Sequence, residues 1–452
     1  MWIVVPGPVL LLLLVIAVAF IIWLTGKVRV HAFLVLLAAA FLVGVFSGMG
    51  LPQTVDAIAK GFGGTLKSIG IVIACGTIIG YILEKTGGAI SMAEAVLRIV
   101  GRKRVPLAMS IIGYIVSIPV FCDSGFVILS PLNKALTKRA GISLAVTAIA
   151  LSTGLYATHC LVPPTPGPIA AAANLNADLG LVIILGLIAS IPAALAGLFY
   201  AKKVGSKVYI EPEITESYED LIKKYGKLPP AGWAFAPLIV PILLIVLKSI
   251  ADFPSHPFGV GIVKDFFDFI GHPITALLIG VLLSFKLVTK LDERVYGPKG
   301  WVGEGLKNAA IIILITGAGG SFGYVLRATG IGDYIGNTLS AYNLGLLLPF
   351  LIAALLKTAQ GSSTVAIITT SALLSPMLDA LGLGSPIGKA LTVLAIGAGS
   401  MVVSHANDSY FWVVTQFSNM DVAQGYKLQT IGTLVEGIAA MITILIMGAI
   451  LL

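Results

Sequence analysis

The sequence predicts an all-α polytopic membrane protein with about ten transmembrane helices and two re-entrant hairpins, set in two inverted-topology repeats. Three observations point there. The 452 residues are 57% hydrophobic and 11% charged, where a soluble domain carries about a quarter charged residues. Apolar runs of roughly 20 residues, each long enough to cross about 30 Å of hydrocarbon as a helix, recur along the whole chain. One string of the first half also returns, altered, in the second.

In chain order the runs place spans at 3–24, 28–49, 66–84, 142–174, 179–201, 232–250, 272–289, 304–326, 386–419 and 428–451, with 142–174 and 386–419 interrupted. The first run lacks a basic leader and is too long for a signal-peptide core, so it reads as an uncleaved span. Basic residues set the orientation. Lys27 and Arg29; Lys85 with Arg98, Arg102, Lys103 and Arg104; Lys202, Lys203 and Lys207; Lys286, Lys290 and Arg294; and Lys427 all fall on one side of these spans. By the positive-inside rule that side is cytoplasmic, which puts both termini outside in a multi-pass protein of the inner membrane. The net charge of +8 therefore reports topology, and the expected partner is the lipid bilayer with no nucleic acid.

The stretch 105–138 carries basic clusters at both ends, closing with Lys134, Lys138 and Arg139. A re-entrant hairpin keeps all of them inside, whereas a plain span would carry the last three outside. Residues 343–380 read as a second hairpin. The polar linker 204–231 divides an N-terminal repeat, 1–203, from a C-terminal repeat, 232–452. Cys75, Cys122 and Cys160 lie in apolar segments without paired or metal-ligand spacing, which assigns them to packing and predicts no metal site.

The repeat itself is explicit. Gly80–Gly87, GYILEKTG, returns as Gly323–Gly330, GYVLRATG, with five of eight positions identical, and Thr158-His159 matches Ser404-His405 at nearly the same shift. Five crossings per half set the two copies in opposite orientations, an architecture of secondary transporters.

Broken backbone at membrane depth is tolerated only where protein or a wet cavity satisfies it. Four places qualify. The first hairpin turns at Cys122-Asp123-Ser124-Gly125; Asp123 and Ser124 suit an N-cap, yet an unpaired carboxylate at this depth costs roughly 2.5–3.5 kcal/mol, which marks Asp123 as functional. The second hairpin turns at Lys357-Thr358-Ala359-Gln360-Gly361-Ser362-Ser363-Thr364, where a new helix N-terminus offers free N–H groups to an anion. Lys357, one turn earlier, either pairs with that anion or snorkels to the interface. The third place follows Thr158 and His159: Pro163, Pro164, Pro166 and Pro168 cannot continue a helix, so the span unwinds and exposes backbone around Thr165. The fourth is Ser404-His405-Ala406-Asn407-Asp408-Ser409, where His405 is either functional or a hydrogen-bonded buried histidine, and Asp408 and Ser409 either line a site or cap the next helix. Glu436 in the last span is a weaker candidate.

Together THCLVPPTPGP, FCDSGFVIL, AQGSST and SHANDSYFW resemble the gluconate:proton symporter (GntP) family of the ion transporter superfamily, over essentially the whole chain. The resemblance implies scaffold and transport domains, hairpin tips at the substrate, elevator-like movement and a homodimer. It also implies a cargo of gluconate, a related sugar acid or D-serine. Gluconate permeases often carry arginine before the AQGS string; this chain has Lys357, a point charge without the bidentate fork.

The expected activity is proton-coupled uptake of such a small organic acid. Ser362, Ser363, Thr364 and Thr165 would hold its carboxylate, and Asp123, Ser124, Asn407 and Ser409 its hydroxyls, with Thr158, Lys357, Gln360 and Gly361 completing the site. Asp123, His159, His405 and Asp408 are the proton-coupling candidates. A sodium-coupled carboxylate carrier or sodium/proton antiporter is the rival, because unwound carbonyls also hold Na⁺. No cofactor is expected beyond the coupling ion. The sequence has no HExxH string, nucleophile elbow or phosphate-binding glycine loop, so no catalytic residue is expected and the chain does not read as an enzyme.

Overall fold

The structure, a computed structural model, describes residues 6–101, 104–213, 223, 225–251, 261–330, 344–406 and 408–452. Among them every regular element is a helix, as expected where lipid leaves backbone groups no partner outside their own segment. The first half contains α1 (Gly7–Ile22), α2 (Ala32–Phe46), α3 (Leu51–Lys85), α4 (Gly88–Val100), α5 (Val105–Val116), α6 (Cys122–Ala140), α7 (Leu144–Leu161), α8 (Pro166–Asn174) and α9 (Leu179–Val204). The second contains α10 (Ala231–Ala251), α11 (Ile262–Ile270), α12 (Pro273–Ser284), α13 (Glu293–Tyr296), α14 (Trp301–Ala328), α15 (Leu347–Gln360), α16 (Ser363–Leu374), α17 (Pro386–Met401), α18 (Ser409–Phe417), α19 (Val422–Gly425) and α20 (Ile431–Leu451).

Local chemistry starts these helices. Proline occupies the first turn of α3, α5, α8 and α17, where its missing N–H has no helical partner to lose. Ser143, Asp178 and Ser385 cap α7, α9 and α17 by accepting a first-turn N–H.

Among the described residues six helices are long and apolar enough to cross a membrane, or eight if each of two bent pairs counts as one span. The ten expected spans are not reproduced as such, because bends and short limbs intervene. The span expected at 66–84 is the second limb of α3, which begins at Leu51 and bends by 46° between Lys67 and Gly70. Lys60, Thr65 and Lys67 hide the continuity of that helix from hydropathy. Helices α2 and α17 are apolar but only 15 and 16 residues long.

The centre is built on α7 and α17. Every residue of α7 is buried, as is α17 from Ala390 to Met401. Helices α5, α6 and α9 pack on α7; α15, α16 and α20 pack on α17. The short helices after the two breaks cross over: α8 packs on α16, with Asn174 Nδ2 donating to Ser371 Oγ at 2.9 Å, and α18 packs on α6. Helices α3 and α14, which carry the repeated glycine-tyrosine string, form an extensive helix pair; α3 also touches α8, and α14 touches α16. On the outside, Leu12, Ile191, Leu243 and Ile442 are exposed, an apolar surface suited to lipid.

Helices α5 and α7 meet backbone to backbone. A Cβ on Gly154 would stand 2.2 Å from the Ser110 carbonyl oxygen, and one on Gly113 2.6 Å from that of Leu151. Small residues permit such crossings in membranes. Gly154→Leu is expected to force α5 off α7 at a cost of about 1–3 kcal/mol, read as a lower melting temperature in detergent. Gly232→Ala, whose added carbon meets nothing within 4 Å, should melt like the parent.

Candidate functional site

Helix α17 stops at Met401, residues 402–406 are not helical, and Asp408 caps α18. Val403 lies at φ 55, a left-handed conformation that costs a β-branched residue about 1–3 kcal/mol. The start of α20 holds this segment in place. The Ser404 N–H donates to Thr433 Oγ1 at 3.1 Å, and Thr430 Oγ1 donates to the Ser404 carbonyl at 2.6 Å. Unwound backbone deep in the fold is thereby satisfied.

Lys357 reaches this segment from the last turn of α15. Its side chain is fully buried, and Nζ donates to Asp408 Oδ2 at 2.5 Å and to the Gly361 carbonyl. Nζ also stands 5.9 Å from the centroid of the Tyr156 ring, within cation–π range. Snorkelling is thus excluded for Lys357. Asp408 caps α18, its Oδ1 accepting from the Tyr410 N–H at 3.1 Å, while Oδ2 accepts from Lys357 and, at 2.5 Å, from Ser404 Oγ.

Gly361 ends α15 at φ 87, a conformation glycine reaches without strain. Ser362 then caps α16, accepting from the Val365 N–H at 3.3 Å, so Ser363 and Thr364 form the first turn whose N–H groups face the break between the arms. His405 Nε2 stands 2.8 Å from the Thr358 carbonyl. A carbonyl only accepts, so this nitrogen carries the hydrogen. The second hairpin tip is therefore fastened to the second break at two points.

The first hairpin tip joins the same place. Ser409 Oγ donates to Asp123 Oδ2 at 3.4 Å, while the buried Asp123 Oδ1 has no hydrogen-bond partner among the described residues. The expected cap is corrected here. Phe121 occupies the N-cap of α6, and Asp123 and Ser124 lie inside its first turn; Gly125 is helical, its N–H bonded to the Phe121 carbonyl. The reversal occupies Ser117–Phe121, because Pro119 supplies the turn and no glycine is needed. His159 is buried, stacked on Tyr156 with centroids 6.3 Å apart and tilted against Phe121 at 6.0 Å. Its Nδ1 has no partner among the described residues.

Two expected ligands donate to backbone carbonyls. Thr158 Oγ1 donates to the Tyr114 carbonyl at 2.8 Å, and Thr165 Oγ1 to the Val162 carbonyl at 2.7 Å. Thr165 thereby satisfies a carbonyl freed by the proline break, and Thr158 one near the end of α5, needs that residue identity alone does not reveal. Asn407 lies outside the described residues, as does the side chain of Gln360. Sequence reasoning left out Tyr156, which links Lys357 to His159, and Ser404 as a partner of Asp408. A tyrosine one helical turn before His159 was the available signal.

Lys357, Asp408, Ser404, Asp123, Ser409, His159 and Tyr156 thus connect both hairpin tips with both interrupted helices. One ammonium, two carboxylates and a helix N-terminus form a polar cluster inside an apolar fold.

The sequence model of the GntP family permease matches residues 9–450. The chain belongs to that family. A gluconate permease of Pseudomonas aeruginosa is 36% identical to this permease over 98% of the chain and 98% of its own length. The D-serine transporter DsdX of Escherichia coli (strain K12) is 33% identical over 95% of this chain and 96% of its own. Among solved structures, the YdaH transporter of Alcanivorax borkumensis has a TM-score of 0.62 at 15% identity, covering 93% of this chain and 98% of that one; the likeness speaks to fold alone. This GntP permease is a multi-pass membrane transporter and not an enzyme.

Proposed function

We propose that this GntP permease carries a small hydroxy or sugar acid of the gluconate class, or D-serine, into the cell together with a proton. The observation that carries the reading is the buried Lys357–Asp408 pair at the meeting point of the two hairpin tips. Lys357 has three donors. Asp408 and the Gly361 carbonyl take two, and the third, with the first-turn N–H groups of α16, is offered to a substrate carboxylate. The polar substituents then lie toward Asp123 and Ser409.

Charge balance gives the coupling. Lys357 already neutralises Asp408, so an arriving carboxylate beside Asp123 adds a second uncompensated negative charge in a region where each is costly. A proton taken up with the anion, on Asp123, removes that excess. Cargo and proton enter together.

The packing supports an inverted repeat. The contact of α5 with α7 recurs as that of α15 with α17, and the reciprocal crossings of α8 on α16 and α18 on α6 follow the same two-fold relation. In this scheme the hairpins and broken helices move as one transport unit against α3 and α14 in an elevator-like step. The lysine-rich loops face the cytoplasm, both termini lie outside the inner membrane, and two chains form the working dimer.

Proteoliposome uptake of gluconate, glycerate, D-serine, citrate and succinate tests the reading under imposed proton or sodium gradients. Accumulation of gluconate, glycerate or D-serine driven by the proton gradient is expected. Uptake driven by sodium at fixed pH would decide for the sodium-coupled carrier instead.

A further inference from the structure

A cavity of about 240 Å³ lies between α3, α8, α14 and α16, and neither Lys357 nor Asp408 lines it. Its wall is polar and cationic: Lys60, Thr65, Asn174, Tyr324, Arg327 and Ser375 face it. Pockets for drug-sized ligands span about 300–1,000 Å³, so this one suits a metabolite. Arg327 donates to Ser375 Oγ, and Ser375 donates to the Asn174 carbonyl at 2.7 Å. Ser375 accepts one of the five guanidinium N–H donors. Lys60 pairs with Asp56 at 2.8 Å, both well exposed, a contact of small worth.

The repeat sharpens the point. Arg327 belongs to the second glycine-tyrosine string, and the matching position of the first holds Glu84, which pairs with Lys85 at 3.2 Å. At the same shift Lys60 matches Gly303. The two strings share glycines and tyrosine but differ in charge, so neither Arg327 nor Lys60 has a cationic counterpart at the matching position of the other half. With the lysine-rich loops inside, the side that holds this cavity is external.

We propose that this cavity is an outer vestibule that captures a carboxylate anion between Lys60 and Arg327 before it reaches the hairpin tips. The identity of the anion rests on the transport reading above; the capture itself does not. Clustered cations at a cleft raise local anion concentration and on-rate, and salt weakens the effect.

The test places a thiol in the wall. Gly64 lines the cavity, a Cβ there meets nothing within 4 Å, and the three native cysteines are buried. Gly64→Cys permease in vesicles is treated with a sulfonate-bearing or a trimethylammonium-bearing thiosulfonate of like size. Relative to each reagent's own rate with a free thiol, the anionic reagent should react faster by about threefold or more at low salt. Lys60→Gln with Arg327→Gln should abolish the preference, Arg327→Lys alone should keep it, and gluconate or glycerate should slow labelling. In uptake, the Gln pair should raise KM severalfold with the maximal rate retained. Equal relative labelling rates in the parent, or no protection by any carboxylate, overturns the vestibule. Charge preference and protection without uptake of any acid would uphold the vestibule and sink the cargo reading.

Discussion

Lys357→Met should abolish uptake of every acid in the panel and destabilise the permease by about 3–5 kcal/mol, because it strands the buried Asp408 carboxylate without its counter-ion. Adding Asp408→Leu should restore most of the lost thermal stability, since neither position of the pair then holds a stranded charge. It should not restore transport. Melting in detergent and uptake in proteoliposomes separate the two consequences. A Lys357→Met permease that transports normally would remove Lys357 from the site, and a transporting double variant would reduce the pair to a structural role. Lys357→Arg should fold and transport with a changed order of preference among acids, because a planar fork grips a carboxylate differently from a point charge.

Asp123→Asn should uncouple the cargo from the proton. Asparagine keeps the size of the side chain and its link to Ser409, but it cannot carry a proton on and off. A pH gradient of one unit stores about 1.4 kcal/mol, a tenfold accumulation, and the variant should lose that concentrating power. Exchange of labelled for unlabelled substrate across the vesicle, which needs no gradient, should persist. Asp408→Asn should behave differently and lose both, because it leaves Lys357 unpaired in the core. Gradient-driven accumulation that is intact in Asp123→Asn would transfer the proton to Asp408, His159 or His405.

Much of this site was legible before any fold was known, and the reason is the solvent. A carboxylate, a lysine or four prolines in an apolar run are conspicuous because lipid cannot satisfy them. Asp123, Lys357, Asp408 and the break at Pro163–Pro168 were found on that ground. The same reasoning did not foresee that the hydroxyls of Thr158 and Thr165 donate to backbone carbonyls, and it misplaced the cap of α6, which Phe121 holds. Polarity marks where something must be satisfied, but it does not say by whom. Helix length failed similarly at α3, whose polar first limb has no hydropathy signal yet continues the helix.

By itself the sequence determined a helical membrane protein, its glycine-tyrosine duplication, the positions of its interruptions and its family, because each of these is written in local composition and spacing. Only the tertiary structure decided that Lys357 points inward to Asp408, that Ser409 spans to Asp123, and that Tyr156 stands between lysine and histidine. Those partners lie between one turn and nearly 290 positions apart in the chain, and the crossing of α8 over α16 and α18 over α6 is what brings them together.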